Sequence, residues 1–211
     1  PGPVAPMRRP VSRGGRLLTG SLGVSRRGRT LVAGLDLEVR AGRPLIVTGP
    51  NGAGKSTLLA VLAGLSAPGS GWVRHEPAGR ITWVEPGLRF PTDVSVGAWR
   101  RLIRTLATPA IPGVDYLLPQ TVGRRVRADS LSTGETKRLA LWAALRRPGG
   151  LVVLDEPFDH LSEDIVGELG HLIERLAWTR GVVVATNRPP PGGIPDHRRL
   201  RLNLPGRSPC P

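Results

Sequence analysis

Residues 49–57 read GPNGAGKST. They follow PLIVT (44–48), which is continuously apolar, as a central strand covered on both faces is. They open KSTLLAVLAGL (55–65), whose apolar residues recur at helical spacing and stop near Gly64. A strand, a glycine-rich turn and a helix is the context that gives the pattern G-x-x-x-x-G-K-[ST], met here by Gly49, Gly54, Lys55 and Ser56, its meaning. Successive backbone N–H groups in such a turn converge on a phosphate, and the helix N-terminus adds its partial positive charge. The predicted nucleotide contacts are therefore Gly49, Pro50, Asn51, Gly52, Ala53, Gly54, Lys55, Ser56 and Thr57, with the Ser56 hydroxyl a ligand for Mg²⁺. Lys55 is one of two lysines in the chain, Lys137 being the other, against twenty-eight arginines. A compact ammonium on a slim stem reaches β- and γ-phosphates from inside the loop, where a planar guanidinium would misdirect its donors.

Further along, LVVLDE (151–156) reads as a buried strand ending in two carboxylates at the sheet edge that faces the phosphates. Asp155 is expected to hold the Mg²⁺ shell and Glu156 to polarise the attacking water. VVVAT (182–186) is a third apolar strand, and EDIVGELGHLIERLA between the two is a helix, so the sheet is predicted to be parallel with right-handed crossovers. LDLEV (35–39) alternates as a half-buried strand does, and GWV (71–73) and RITWV (80–84) read as short strands. In 94–107 the residues Val96, Trp99, Ile103 and Leu106 fall on one helical face, with Arg100, Arg101 and Arg104 elsewhere. A further helix starts at Ser132, three residues before Glu135, the spacing of a capping box. Together these give an α/β fold: a P-loop NTPase with a mostly parallel core sheet flanked by helices. A small antiparallel β portion is placed near 16–40 and 71–84, and a helical lobe at about 88–147. One domain is expected over 16–203, with a basic Pro/Gly/Arg tail at 1–15 and a second tail at 204–211; NRPPPGGIPDHRR reads as a linker of the same kind.

The formal net charge of +14 divides between two readings, an anionic partner and a compositional preference for arginine. It is uneven: residues 1–30 hold seven arginines and no acid, while 155–174 hold seven acids and no lysine or arginine. No apolar run is long enough to cross a membrane, no signal-peptide pattern opens the chain, and Cys210 is the only cysteine, which together fit a reducing cytoplasm. His75, His171 and His197 have no zinc-ligand spacing. Most of Trp72, Trp83, Trp99, Trp142 and Trp178 are expected in the core.

The third element is LSTGE (131–135), about twenty residues before the acidic strand. GPNGAGKST, then LSTGE with a basic amphipathic helix, then LVVLDEP, resembles the ATP-binding cassette (ABC) ATPases over roughly residues 20–190. The resemblance implies ATP and Mg²⁺ as cofactors and a second cassette as partner, whose nucleotide Ser132, Thr133, Gly134 and Glu135 would contact in trans. Within the family DEPFDHLSED (155–164) is similar to the ABC-F proteins, with Asp159-His160-Leu161 where Asn-His-Leu is usual. That implies a ribosome or rRNA partner; the alternative is a transporter subunit beside a transmembrane permease, at the membrane's cytoplasmic face.

The sequence departs from the family's pattern in several places. Thr133 and Glu135 replace Gly and Gln. Asn187 stands at the switch-histidine position, where it can hydrogen-bond a γ-phosphate but not carry a proton. Either Glu85 or Pro86 occupies the place of a magnesium-sensing Gln, and Glu85 is a candidate metal ligand. No aromatic precedes the P-loop to stack on adenine, leaving Arg26 or Arg27 for that face, and Ser162 replaces an Asp. Phosphate and Mg²⁺ binding are thus expected with slow turnover, Lys55, Glu156 and Asn187 carrying the catalysis. A second class of function, an ATP-locked dimerisation module with negligible turnover, stays open beside the ATPase.

Overall fold

The computed structural model describes residues 15–76, 81–88, 90, 93–106, 111–119, 122–147, 149–189 and 198–203. The tails at 1–14 and 204–211, with Cys210, and most of the stretch read as a linker, with His197, lie outside the described residues. In chain order the first half contains β1 (Arg16–Arg26), β2 (Arg29–Val39), β3 (Leu45–Thr48), α1 (Lys55–Leu62), β4 (Ser70–Glu76) and β5 (Ile81–Val84). The second half contains α2 (Val96–Leu106), α3 (Thr133–Arg146), β6 (Leu151–Asp155), α4 (Glu163–Ala177), β7 (Gly181–Thr186) and β8 (Arg198–Arg201).

The core sheet has the order β5-β6-β7-β3-β8, and every neighbouring pair in it is parallel. Its central strands are buried on both faces, and because side chains alternate along a strand, each strand feeds two separate cores. Val152, Leu154, Val182 and Val184 point to one side, joining Ile165, Leu169 and Leu172 of α4 and Leu141, Trp142 and Leu145 of α3. Leu151, Val153, Val183 and Ala185 point to the other, joining Leu58, Leu59 and Leu62 of α1 and the inner face of the smaller sheet. That smaller sheet is antiparallel, β2-β1-β4, its hairpin closed by Arg27 and Gly28, both in the left-handed region at φ 50° and 74°.

Two placements differ from the sequence reading. RITWV does not belong to the antiparallel portion: β5 lies at the edge of the parallel sheet, with Ile81–Val84 registered against Leu151–Leu154. Arg198–Arg201, inside a basic stretch that reads as tail and linker, is the opposite edge strand, hydrogen-bonded alongside β3. A solvent-facing edge needs backbone pairing and no apolar face, so RRLR carries no periodic signal.

α2 and α3, with two short 3₁₀ turns at Val114–Leu117 and Ala128–Ser130 between them, build the helical lobe. Arg138 of α3 holds it together by donating to the carbonyls of Tyr116, Leu117 and Leu118. Trp142 is fully buried and gives its indole N–H to Asp115 at 2.7 Å. Trp83 packs against the core on the α1 side as expected, and the remaining three are less enclosed than Trp142. Trp72 and Trp178 are about half exposed, Trp72 lying over Gly20 with the Arg74 guanidinium 5.1 Å from its ring, and Trp83 and Trp99 are half-buried. Leu106, predicted on the inner face of its helix, is exposed, because α2 is seated through Val96, Gly97 and Ile103 and its last turn projects beyond the core.

Candidate functional site

β3 ends at Thr48 and the chain turns over itself through Gly49 to Gly54 before α1 begins. Gly52 and Gly54 have φ of 82° and 97°, values that L-residues with a Cβ rarely adopt. At Gly54 there is also no room: a Cβ would sit 2.5 Å from Leu31 Cδ1 of β2, so the antiparallel sheet braces the loop from outside. Lys55 is the first residue of α1, and its ammonium turns back into the loop to donate to the Gly49 carbonyl at 2.8 Å and the Pro50 carbonyl at 3.2 Å. Its third partner is Glu156 Oε1 at 2.9 Å, in a pair whose side chains are only 6% and 11% exposed.

The acids arrive from β6. Asp155 is paired in register with Ala185 of β7 and is fully buried, and among the described residues neither of its carboxylate oxygens has a hydrogen-bond partner. Burial pushes its pKa up, and the nearby Glu156 charge pushes the same way; Ser56, Lys55 and Lys137 oppose the rise. The Ser56 hydroxyl is thus close by, though not in hydrogen-bonding geometry. A buried carboxylate with two unclaimed oxygens beside a serine hydroxyl at a helix N-terminus fits a hard, oxygen-seeking cation. Glu85, proposed from sequence for the same shell, is not brought there. It is exposed, and the charges acting on Asp155 come from other residues.

Glu156 follows with φ 46°, and its N–H donates to the Ala185 carbonyl at 2.9 Å. Strict strand alternation would send it to the face opposite Asp155; the left-handed turn brings it to Lys55 instead. Its second oxygen accepts the Asn187 N–H at 3.0 Å, and the Asn187 amide donates to Asn51 Oδ1 at 3.2 Å. Lys55, Glu156, Asn187 and Asn51 therefore form a continuous polar circuit joining the P-loop, the end of β6 and the loop after β7.

Ser132, Thr133, Gly134 and Glu135 sit at the start of α3 as a complete capping box. Glu135 Oε2 accepts from the Ser132 N–H at 2.9 Å and its hydroxyl at 2.7 Å, while the Glu135 N–H donates to Ser132 Oγ at 3.3 Å. These bonds hold the Glu135 carboxyl below the usual carboxylate range. Gly134 is required for closeness: a Cβ there would lie 2.7 Å from the His160 carbonyl, so α3 starts directly against the loop that follows the two acids. Ser132 and Thr133 are exposed, and no hydrogen bond joins them to the P-loop of their own chain.

Sequence reasoning gave Lys137 no role. It is 7% exposed, and burial lowers its pKa while Asp159, Asp155 and Glu156 work to raise it. The signal was present in the composition, since the only two lysines of an arginine-rich chain both stand buried near the same carboxylates. Lys137 lines a cavity of about 390 Å³ between the core and the lobe, with Glu85, Leu88, Phe90, Thr133 and His160 among its other walls.

Residues 32–159 match the ABC transporter family. The aliphatic sulfonates import ATP-binding protein SsuB 3 of Rhodococcus jostii is 36% identical over 187 residues, covering 79% of this chain and 68% of that protein. A zinc import ATP-binding protein, ZnuC of Yersinia enterocolitica, is 38% identical over 168 residues, covering 74% of this chain and 63% of its own length. The chain thus spans about two thirds of the length of these relatives. Among solved structures, the ATP-binding cassette MJ0796, dimeric and bound to ADP and Pi, superposes with a TM-score of 0.68 at 17% identity, covering 82% of this chain and 88% of that one. The preference for an ABC-F cassette over a transporter subunit is reversed by these relatives, which are import proteins. The residues that suggested ABC-F serve local geometry: His160 is at φ 63° and turns its carbonyl against Gly134. The chain belongs to the ABC transporter family as an ATP-binding cassette, an ATPase built on the P-loop fold.

Proposed function

We propose that this cassette binds Mg-ATP between its P-loop and the end of β6, pairs with a second cassette, and couples ATP hydrolysis to a membrane-embedded permease at the cytoplasmic face. The observation that carries the chemistry is the buried Asp155 carboxylate, its oxygens unclaimed, beside Ser56 and the phosphate-binding turn. Ser56 and Asp155 would hold Mg²⁺, which supplies neutralisation of phosphate charge when bound. Backbone N–H groups of the Gly49–Thr57 turn and the Lys55 ammonium hold the phosphates, and Glu156, once released from Lys55, orients and polarises water. The exposed Ser132 and Thr133, unused by their own P-loop, are available to a second copy's nucleotide. The transporter reading is favoured by the import proteins among the relatives. The cavity walled by Glu85–Leu88 and Phe90 is the groove we assign to the permease, between the two bodies whose relative movement would be transmitted.

Turnover is slow in this reading. Asn187 cannot carry a proton, and its side chain is committed to Asn51. A second reading, an ATP-locked dimerisation module, is favoured by the same circuit, since Glu156 is held by both Lys55 and Asn187. Single-turnover phosphate release from the assembled dimer, alone and with its membrane partner, tests both. Slow release that Glu156→Gln abolishes supports the ATPase; equal dimerisation with no release from either protein supports the module. Cosedimentation with ribosomes in place of a membrane partner would overturn the transporter assignment.

A further inference from the structure

Asp155, Glu156 and Asp159 lie within five residues, two of them buried, and Lys55 pairs with one of them. Arg188 stands 4.0 Å from Asp159, so three carboxylates face the Lys55 ammonium and one guanidinium, which still leaves an excess of negative charge where a polyphosphate must enter. The second ammonium comes from α3. Gly134 brings the first turn of that helix onto the His160 carbonyl, and Lys137, one turn later on the same face, is carried into the crevice beside the acidic loop. The next residue, Arg138, turns the other way and grips the lobe through the carbonyls of residues 116–118. Among the described residues no carboxylate forms an ion pair with Lys137, which lines the same cavity as His160 of the acidic loop; Asp159, Asp155 and Glu156 all act against the burial that lowers its pKa.

We propose that Lys137 is an electrostatic positioning residue of the nucleotide site: from the signature helix of the same chain it balances the acids after β6, setting how strongly the site depends on Mg²⁺ and tying the helical lobe to the hydrolytic carboxylates. A slim lysine stem suits a crevice this enclosed, as it does at position 55. The inference rests on the nucleotide site proposed above and adds a residue to it.

The test measures equilibrium binding of ADP to the full chain in EDTA and in Mg²⁺, and takes the ratio of the affinity in Mg²⁺ to that in EDTA. Without the Lys137 charge, metal-free ADP meets a more negative site while Mg²⁺ is held more tightly, so in Lys137→Met the ratio rises on the order of tenfold. Lys137→Arg keeps the charge and keeps the ratio near that of the unaltered chain. Adding Asp159→Asn to Lys137→Met restores the balance and returns the ratio towards its starting value. Should Lys137→Met fail to fold, Asp159→Asn alone is read instead, and it lowers the ratio. A loss of binding equal with and without Mg²⁺ in Lys137→Met, or no change of ratio in Asp159→Asn, marks a packing role and overturns the proposal. If the unaltered chain binds no ADP under either condition, the nucleotide site itself is wrong.

Discussion

Glu156→Gln should tighten nucleotide binding before any question of hydrolysis arises. Lys55 donates to two carbonyls and to Glu156 Oε1, so all three of its protons are taken. A phosphate can claim the ammonium only by displacing a partner, and Glu156 is the one carried by a movable side chain. At 2.9 Å and an effective dielectric of 20 the gross attraction is about 6 kcal/mol. Much of this is offset by the desolvation of two nearly buried charges. If about a quarter to a half survives as the cost of opening, the site forgoes ~1.4–2.8 kcal/mol, or ten- to a hundredfold in Kd. Glutamine keeps the shape and can still accept the Asn187 N–H, but cannot form the ion pair. The assay is a calorimetric titration of Mg-ADP into both proteins, ADP being chosen so that slowed hydrolysis cannot masquerade as affinity. Binding to Glu156→Gln that is unchanged or weaker would show that Lys55 is not held back by Glu156, and the reasoning would fail.

Gly54→Ala forces a Cβ into the Leu31 side chain at a φ of 97°; we expect loss of measurable Mg-nucleotide binding and ~1–3 kcal/mol of stability by urea denaturation. Ser132→Ala removes the N-cap of α3 and should cost about 1 kcal/mol, read as a shift in the unfolding midpoint. Because the folded Glu135 pKa is depressed, its stabilisation is present above the carboxylate's unfolded value and fades as pH falls through the lower folded one. Glu135→Gln should therefore flatten the acid limb of stability against pH while keeping the cap. Trp142→Phe preserves most of the packing but removes the 2.7 Å hydrogen bond to Asp115, whose carboxylate keeps Arg146 at 2.9 Å, a loss of ~1 kcal/mol measurable by thermal unfolding.

The parts legible in the sequence were those written within a few consecutive residues. The phosphate-binding turn, the two acids closing an apolar strand and the capping box each combine a local conformation with a local chemistry, so nine, six and four letters sufficed. What escaped depends on partners distant in the chain. Nothing in RITWV says that Ile81–Val84 will run beside Leu151–Leu154, and RRLR has no apolar alternation because an outer edge strand needs none. The exposed half of Trp72 follows from its lying over Gly20 on the open face of the small sheet, a contact no periodicity encodes. Lys137 was visible as a rarity, but its direction became meaningful only when Gly134 fixed α3 against the acidic loop. Asn187 could be placed after its strand from the sequence, while its bond to Asn51 could not be foreseen, since it joins the ends of two different strands.

The positive φ at Glu156 carries a consequence for how this protein would evolve in the laboratory. A glutamate in that conformation costs on the order of 1–2 kcal/mol relative to a glycine, which enters it freely. The Glu156 carboxylate is thus mounted on a backbone that would relax without it. In Glu156→Gly that relief is outweighed by the loss of the partner of the nearly buried Lys55 ammonium, so a library screened only for heat resistance should keep the glutamate although the backbone alone would favour glycine.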